Sequence, residues 1–209
     1  MKTNSQEQVT GQSPLPNICS MQHPSVTTVL SPFTDFSEIR PDILAAAAER
    51  GSRVHAACAA HVNGLWADCF LLQEEKGYFK SFLDWSSRAV SEFRAVEMEL
   101  ADPKLGYMGH PDAIVKMSGD TGLTVIDYKT PMTASKTWLP QIAAYAHLAR
   151  TNGYDIKRGL AVRLKKTGGS PISTEIDIDG EPWMAFLNAL GAYRYFKKAT
   201  VLFRGGTGR

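Results

Sequence analysis

The residues between Gly109 and Tyr145 constrain this chain more than any other part of its sequence. Asp112 and Asp127 each close an apolar run, and Lys129 follows the second aspartate by two positions. Because side chains alternate along a strand, Asp127 and Lys129 are expected on the same face of the sheet. A turn-like segment separates the two runs, so a hairpin would place Asp112 across from Asp127. The pattern predicts a fold in which two carboxylates and an ammonium group meet.

Two carboxylates at one place imply a bound cation, because adjacent carboxylates repel and are costly to bury alone. A divalent metal ion neutralises them, and oxygen ligands favour Mg²⁺ or Mn²⁺. The simpler alternative makes Asp112 a turn residue and Asp127 with Lys129 an exposed ion pair at a strand end. An acidic residue two positions before a lysine recurs elsewhere in the chain, but only here does it end an apolar strand. The combination favours metal-dependent phosphodiester chemistry, in which the lysine offsets phosphate charge.

A predicted helix after this strand carries Gln141 and Tyr145, which lie four residues apart and therefore share one face. They can be ordinary solvent-facing residues of an amphipathic helix. However, their neighbours include several alanines, so the helix can pack closely against the rest of the fold. Such a helix can direct an amide and a phenol towards a scissile phosphate or a neighbouring base.

Two histidines are candidates for a nitrogen ligand in this site. His55 lies on an alanine-rich helix, where a lone histidine is most often structural. His110 is two residues from Asp112 and can share its strand face. The residues alone leave both histidines open.

The composition limits the classes of protein and partner. The formal net charge of +2 over 209 residues gives no global attraction for nucleic acid, so a binding surface must be a local patch. The three cysteines have no CxxC spacing, which argues against a zinc ribbon, and their odd number favours a reducing compartment. No signal pattern or membrane-length apolar run is present. We therefore expect a soluble cytoplasmic protein.

The chain is expected to form one domain over residues 27–204, with a flexible N-terminal tail at 1–26 and a loose C-terminal tail at 205–209. The segment 66–90 is not assigned. Hydrophobic periodicity and turn residues predict the order helix, three strands, helix, strand, strand and helix. The predicted ranges are 41–63, 92–100, 107–117, 123–129, 138–151, 159–164, 172–178 and 181–203, with an interruption of the first helix at Gly51.

Together these patterns resemble the PD-(D/E)XK nuclease superfamily, and within it the RecB-like branch that includes phage-type exonucleases. The motifs that carry the resemblance are, in order, Arg50-Gly51 with His55, Gly109 with Asp112, Asp127 with Lys129, and Gln141 with Tyr145. The resemblance covers roughly residues 40–165. It implies an α/β, restriction-endonuclease-like fold with an αβββαβ core, in which helices flank a mixed central sheet.

The resemblance also implies roles for individual residues. Asp112, Asp127 and the backbone carbonyl of Tyr128 would ligate Mg²⁺ or Mn²⁺, and His55 would complete the site. Lys129 would orient or deprotonate the attacking water. Gln141 and Tyr145 would position the substrate or brace the site. The implied catalytic set is Asp112, Asp127, Lys129, Gln141 and Tyr145, with Glu97 of the first strand a weaker candidate ligand.

The function implied is that of a metal-dependent DNA exonuclease acting in recombination, repair or phage replication. Its partners would be a DNA end and a recombinase, single-strand-binding protein or helicase, with no membrane. The alternatives are an inactive nucleic-acid-binding module and an endonuclease on the same fold. Trp138, near the site in sequence, is a candidate for stacking on an unpaired base.

Two departures from the family pattern stand out. Three scattered cysteines cannot supply the four that iron–sulfur members of this branch use. Pro111 breaks regular strand pairing, so Asp112 is expected at a bend or on an edge strand.

Overall fold

The computed structural model describes residues 23–204, without the side chains of Asp68 and of residues 198–204. The predicted tails at 1–26 and 205–209 therefore lie outside the described residues, except for residues 23–26. Within that short stretch, Ser25 caps the first helix by accepting a hydrogen bond from the Thr28 N–H, and Val26 is fully buried. These two residues belong to the fold and not to a tail, because Val26 contributes to the core.

Five helices and seven strands form the domain over the residues described. The helices are α1 (Val26–Leu30), α2 (Pro41–Val62), α3 (Lys76–Ala89), α4 (Trp138–Thr151) and α5 (Glu181–Arg204). The strands are β1 (Val90–Val96), β2 (Leu100–Asp102), β3 (Tyr107–Gly109), β4 (Ala113–Met117), β5 (Leu123–Lys129), β6 (Ile156–Arg163) and β7 (Ile172–Ile176). In this region no helix is both long and apolar enough to cross a membrane.

Five of the strands form one mixed sheet in the order β1-β4-β5-β6-β7, and β2 pairs with β3 in a separate hairpin. β5 and β6 run parallel, whereas the other neighbours in the large sheet are antiparallel. The parallel pair requires a crossover, and α4 supplies it. The architecture confirms the predicted α/β class with a mixed central sheet flanked by helices.

Alternating side chains divide the core into two layers. Ile114 and Val125 face one side of the sheet, where they pack with α1, α4 and α5. Val115 and Ile126 face the other side and pack with α2 and α3. This sandwich covers the central strands on both faces, so the ends of β4 and β5 can hold polar groups in a protected setting.

The segment 66–90, unassigned from sequence, contains α3. Tyr78, Phe82 and Trp85 are buried at positions that fall on one helical face. Their rings form part of the layer beneath the sheet, where Phe82 and Trp85 meet Tyr128 edge-on. The helical period was masked in the sequence by the many polar residues that occupy the opposite face of α3.

Two predicted strands are divided, and one predicted helix break does not occur. The strand predicted at 92–100 ends at Val96 because Glu97 has a positive φ of 48°. The strand predicted at 107–117 is interrupted at His110 and Pro111, since proline cannot donate to a strand ladder. Gly51 leaves α2 continuous, because glycine weakens a helix without terminating it.

Candidate active site

The strand register brings the two predicted aspartates together. Ala113 pairs with Ile126, so Asp112 and Asp127 flank this pair at the same end of the hairpin. Both residues are buried. Asp112 Oδ2 accepts a hydrogen bond from the backbone N–H of Tyr128 at 2.5 Å, which fixes the carboxylate against the neighbouring strand. Asp112 precedes β4, a central strand, so it lies at a bend and not on an edge strand.

α2 brings His55, and not His110, to this carboxylate. His55 Nδ1 lies 3.0 Å from Asp112 Oδ1. Burial lowers the pKa of His55, but the negative charge of Asp112 outweighs burial and raises the pKa to about 9. His110 Nε2 instead lies 3.3 Å from Glu99 Oε2. Of the two candidates left open by the sequence, the structure places only His55 beside the aspartates.

Glu97 completes a group of three potential ligands. One ligand atom each from His55, Glu97 and Asp112 lie within 4.8 Å of one another. The Glu97 N–H donates to the backbone carbonyl of Asp112 at 3.1 Å, which holds the turn after β1 against the site. Burial, followed by the charge of Asp112, raises the pKa of Glu97 to about 7. This weaker sequence candidate therefore occupies a central position.

The second aspartate belongs to a network with the lysine and the α4 amide. Lys129 Nζ lies 2.5 Å from Asp127 Oδ2 and donates to Gln141 Oε1 at 2.8 Å. Gln141 Nε2 lies 3.2 Å from Asp127 Oδ1 and 3.3 Å from the Tyr145 hydroxyl, and it donates to both. Burial raises the pKa of Asp127, and the charge of Lys129 acts against this rise. Gln141 thus holds both members of the ion pair in place.

Tyr145 is a buried neighbour of the site. A Cβ at Gly109 would lie 2.6 Å from Tyr145 Cε1, so the ring occupies the space that any other residue at Gly109 would need. This contact accounts for the glycine in the Gly109–Asp112 motif. Of the two roles considered for Tyr145, the packing favours bracing the site.

Trp138 lies at the start of α4, as expected, and its ring is close to Lys129. Lys129 Nζ is 5.5 Å from the ring centroid, within the range of a cation–π interaction. The ring therefore covers the ammonium group in this structure. The sequence suggested base stacking for Trp138 and did not indicate this contact.

The donor groups fit a divalent cation. Asp127 Oδ2 is buried and accepts no hydrogen bond from the described part of the chain, although Lys129 is near it. A buried oxygen of this kind can be satisfied by a cation. His55, Glu97 and Asp112 supply one nitrogen and two carboxylates nearby, a set that suits a metal ion. The Tyr128 side chain packs against Phe82, so only its backbone carbonyl remains available.

One arginine of the first motif region has a structural role that the sequence did not reveal. Arg53 donates from Nε and Nη2 to the carboxylate of Glu75, at distances down to 2.7 Å. Glu75 is buried, and its hydrogen bonds with Arg53 lower its pKa. Arg50 lies over the ring of Tyr78, 5.8 Å from the centroid. The Arg53–Glu75 pair joins α2 to the turn before α3 and leaves Arg53 less available for a phosphate.

The sequence model of the PD-(D/E)XK nuclease superfamily matches residues 32–177, which contain all the site residues described above. The chain belongs to this superfamily. No curated protein is similar enough to the sequence to count as a match.

Two solved structures resemble the chain. One is an alkaline exonuclease, LHK-Exo, from Laribacter hongkongensis, with 14% sequence identity and a TM-score of 0.40. The alignment covers 88% of this chain and 95% of that chain. The other is the protein SSO0001, with 14% identity, a TM-score of 0.35 and coverage of 66% and 71% of the two chains.

Proposed function

We propose that this protein is a metal-dependent deoxyribonuclease that removes nucleotides from a DNA end, with a role in recombination, repair or phage replication. The observation that carries the proposal is the meeting of Asp112, Asp127 and Lys129 at the covered end of β4 and β5. Nuclease chemistry follows from the superfamily. The preference for ends and the biological setting extend the proposal and rest on the ordered motifs.

His55, Glu97, Asp112 and Asp127 would hold Mg²⁺ or Mn²⁺, with the Tyr128 carbonyl as a further donor. When bound, such an ion supplies positive charge to a phosphate and makes a water more acidic. Asp112 is held in place for this role by the N–H of Tyr128. Glu97 has its backbone tied to Asp112, so both carboxylates are directed to one point.

Lys129 would carry the second part of the chemistry. Its ammonium group can donate to a phosphate oxygen, or it can orient or deprotonate the attacking water. Gln141 fixes the ammonium by accepting one of its hydrogen bonds, and Trp138 covers it. Tyr145 braces Gln141 from below. This arrangement restricts the lysine before substrate arrives, and such restriction is favourable for catalysis.

The proposed partner is DNA, and a recombinase, single-strand-binding protein or helicase would supply or protect the end. The cytoplasmic location remains a prediction from cysteine usage. Over the described residues, Cys58 and Cys69 are both free thiols.

The first test is cleavage of end-labelled linear DNA by the wild type and by Lys129→Ala, with Mg²⁺ or Mn²⁺ and then with chelator. We expect metal-dependent shortening by the wild type and a loss of at least about hundredfold in Lys129→Ala, because such electrostatic groups typically contribute that much. Lys157→Ala is the matched control, since Lys157 pairs with Asp155 at the far end of β6.

The outcomes separate the competing functions. Cleavage of a closed circle would indicate an endonuclease. DNA binding that ignores chelator, without any cleavage, would indicate a binding module. Absence of nucleotide release from single- and double-stranded DNA with either metal would refute the proposal.

A further inference from the structure

A large cleft opens beside Glu97 and has no part in the site described so far. Its volume is about 1020 Å³. The edge strand β1 forms its floor over residues 93–96, the end of α2 over residues 61–63 forms one wall, and α3 forms the other.

The cleft leads to the candidate metal ligands. Val96, in its floor, immediately precedes Glu97 and pairs with Ala113, the neighbour of Asp112. Val62, in its wall, lies two helical turns from His55 on the same side of α2, a distance of roughly 10 Å. A polymer bound at the metal site therefore has a direct path into the cleft.

The charges along the cleft suit a polyanion. Lys80 is exposed and has no ion-pair partner in the part of the chain that the structure describes. Arg94 is about half exposed, although Glu92 lies 3.1 Å from it. The acidic residue of the lining, Asp84, is paired with Arg88 and also accepts a hydrogen bond from the Ser170 hydroxyl. The cleft thus offers cations, while its carboxylate is already neutralised.

Aromatic groups extend the cleft away from the metal ligands. His61 borders it and also borders a smaller recess of about 280 Å³ that includes Trp66. Trp66 is 87% exposed, although an indole usually gains much by burial. Phe93, in the floor, is partly buried. Cations interleaved with exposed rings are typical of surfaces that bind unpaired nucleotides.

We propose that this cleft binds a single-stranded segment of the nucleic acid next to the scissile phosphate, with Lys80 and Arg94 on its phosphates and Trp66 stacked on a base. The inference rests on the proposed nuclease function. A single strand is favoured over a duplex because a stacking ring needs the open face of an unpaired base.

The test measures binding without cleavage, in chelator and with Lys129→Ala as the parent. A labelled single-stranded oligonucleotide is titrated against this parent and against versions that add Lys80→Ala, Arg94→Ala or Trp66→Ala. Lys104→Ala is the matched control, because Lys104 lies in the hairpin turn between β2 and β3, which packs on the opposite layer. Thermal melting of each variant establishes that it is folded.

We expect Trp66→Ala to weaken binding about tenfold and to remove part of the tryptophan fluorescence change on binding. Lys80→Ala and Arg94→Ala should each lower the slope of log affinity against log salt by about 0.7, the value for one phosphate contact on a single strand. Lys104→Ala should leave both quantities at the parent values.

The inference is overturned if the three cleft variants bind like Lys104→Ala, or if Trp66→Ala weakens a blunt duplex as much as a single strand. A wild type that cleaves DNA, combined with cleft variants that bind like the control, would reject this inference alone. A wild type that releases no nucleotides from any DNA would reject the nuclease function, whatever the oligonucleotide titrations give.

Discussion

Glu97 shows how much of this site depends on the conformation of one residue. Its φ of 48° lies in the left-handed region, which is unfavourable for a residue with a Cβ. Its carboxylate also faces the negative charge of Asp112, which contributes to its raised pKa. Both features cost free energy in the metal-free protein, and a bound cation would offset the second.

Glu97→Gly should therefore stabilise the metal-free protein by about 1 kcal/mol while weakening metal binding at least tenfold. Chemical denaturation in chelator and calorimetric titration with Mn²⁺ measure the two effects. Glu99→Gly is the control, because Glu99 is exposed and has no positive φ. It should lose stability through the greater freedom of the unfolded chain and keep its metal affinity. A destabilised Glu97→Gly would contradict the strain argument.

The two histidines give a second prediction at this scale. His55→Asn should lower Mn²⁺ affinity at least tenfold, because His55 is beside Asp112, while His110→Asn should leave the affinity unchanged, because His110 contacts Glu99. Titration of both variants with Mn²⁺ tests this directly. An equal loss in the two variants would show that the site is assembled differently.

Among the elements, α4 depends most on close packing. A Cβ at Gly159 of β6 would lie 2.5 Å from Ile142 Cγ2 of α4 and 2.7 Å from Ile178 Cγ2. Ala143, Ala144 and Ala146 are fully buried in the same helix. Small residues on both elements allow α4 to approach the sheet, and this approach carries Gln141 to Lys129.

Gly159→Ala should consequently destabilise the protein by roughly 1–3 kcal/mol through overpacking. Gly191→Ala in α5 is the matched control, because a Cβ there meets nothing within 4 Å. That substitution should stabilise by roughly 0.5–1 kcal/mol, since alanine favours a helix over glycine. Urea denaturation measures both. A neutral Gly159→Ala would mean that the helix can move away from the sheet without cost.

For the whole molecule, the buried Arg53–Glu75 pair ties α2 to the segment that leads into α3. The pKa of Glu75 is lowered by its hydrogen bonds with Arg53, so the folded state holds its proton more weakly than the unfolded state does. Stability from this carboxylate is therefore complete above its unfolded pKa, and it is lost as the pH falls through the lower folded value.

Glu75→Gln should accordingly reduce stability near neutral pH and flatten the loss of stability below the ordinary glutamate pKa of 4.5. Denaturation curves of the wild type and variant across the acidic range measure the difference. Glu74→Gln is the control, since Glu74 is exposed beside it. Parallel pH profiles for the wild type and Glu75→Gln would exclude this contribution.

Much of the fold could be predicted from local signals. The helix expected at 138–151 and the strand expected at 123–129 have those bounds in the structure, because capping residues, turn residues and periodicity act over short distances. The superfamily prediction from four ordered motifs is also confirmed. The divided strands were missed, because a positive φ at Glu97 has no sequence signal for a non-glycine residue.

By itself the sequence determined the family, the order of the elements and the spacing that puts Asp112, Asp127, Lys129 and Gln141 within reach of one another. Spacing within adjacent strands and one helix suffices for this, because strand and helix geometry is nearly constant. The choice of His55 over His110, the central position of Glu97 and the cleft along β1 were decided only by the tertiary structure. Each depends on how α2 and α3 cross the sheet, and such long-range packing leaves no local pattern in the chain.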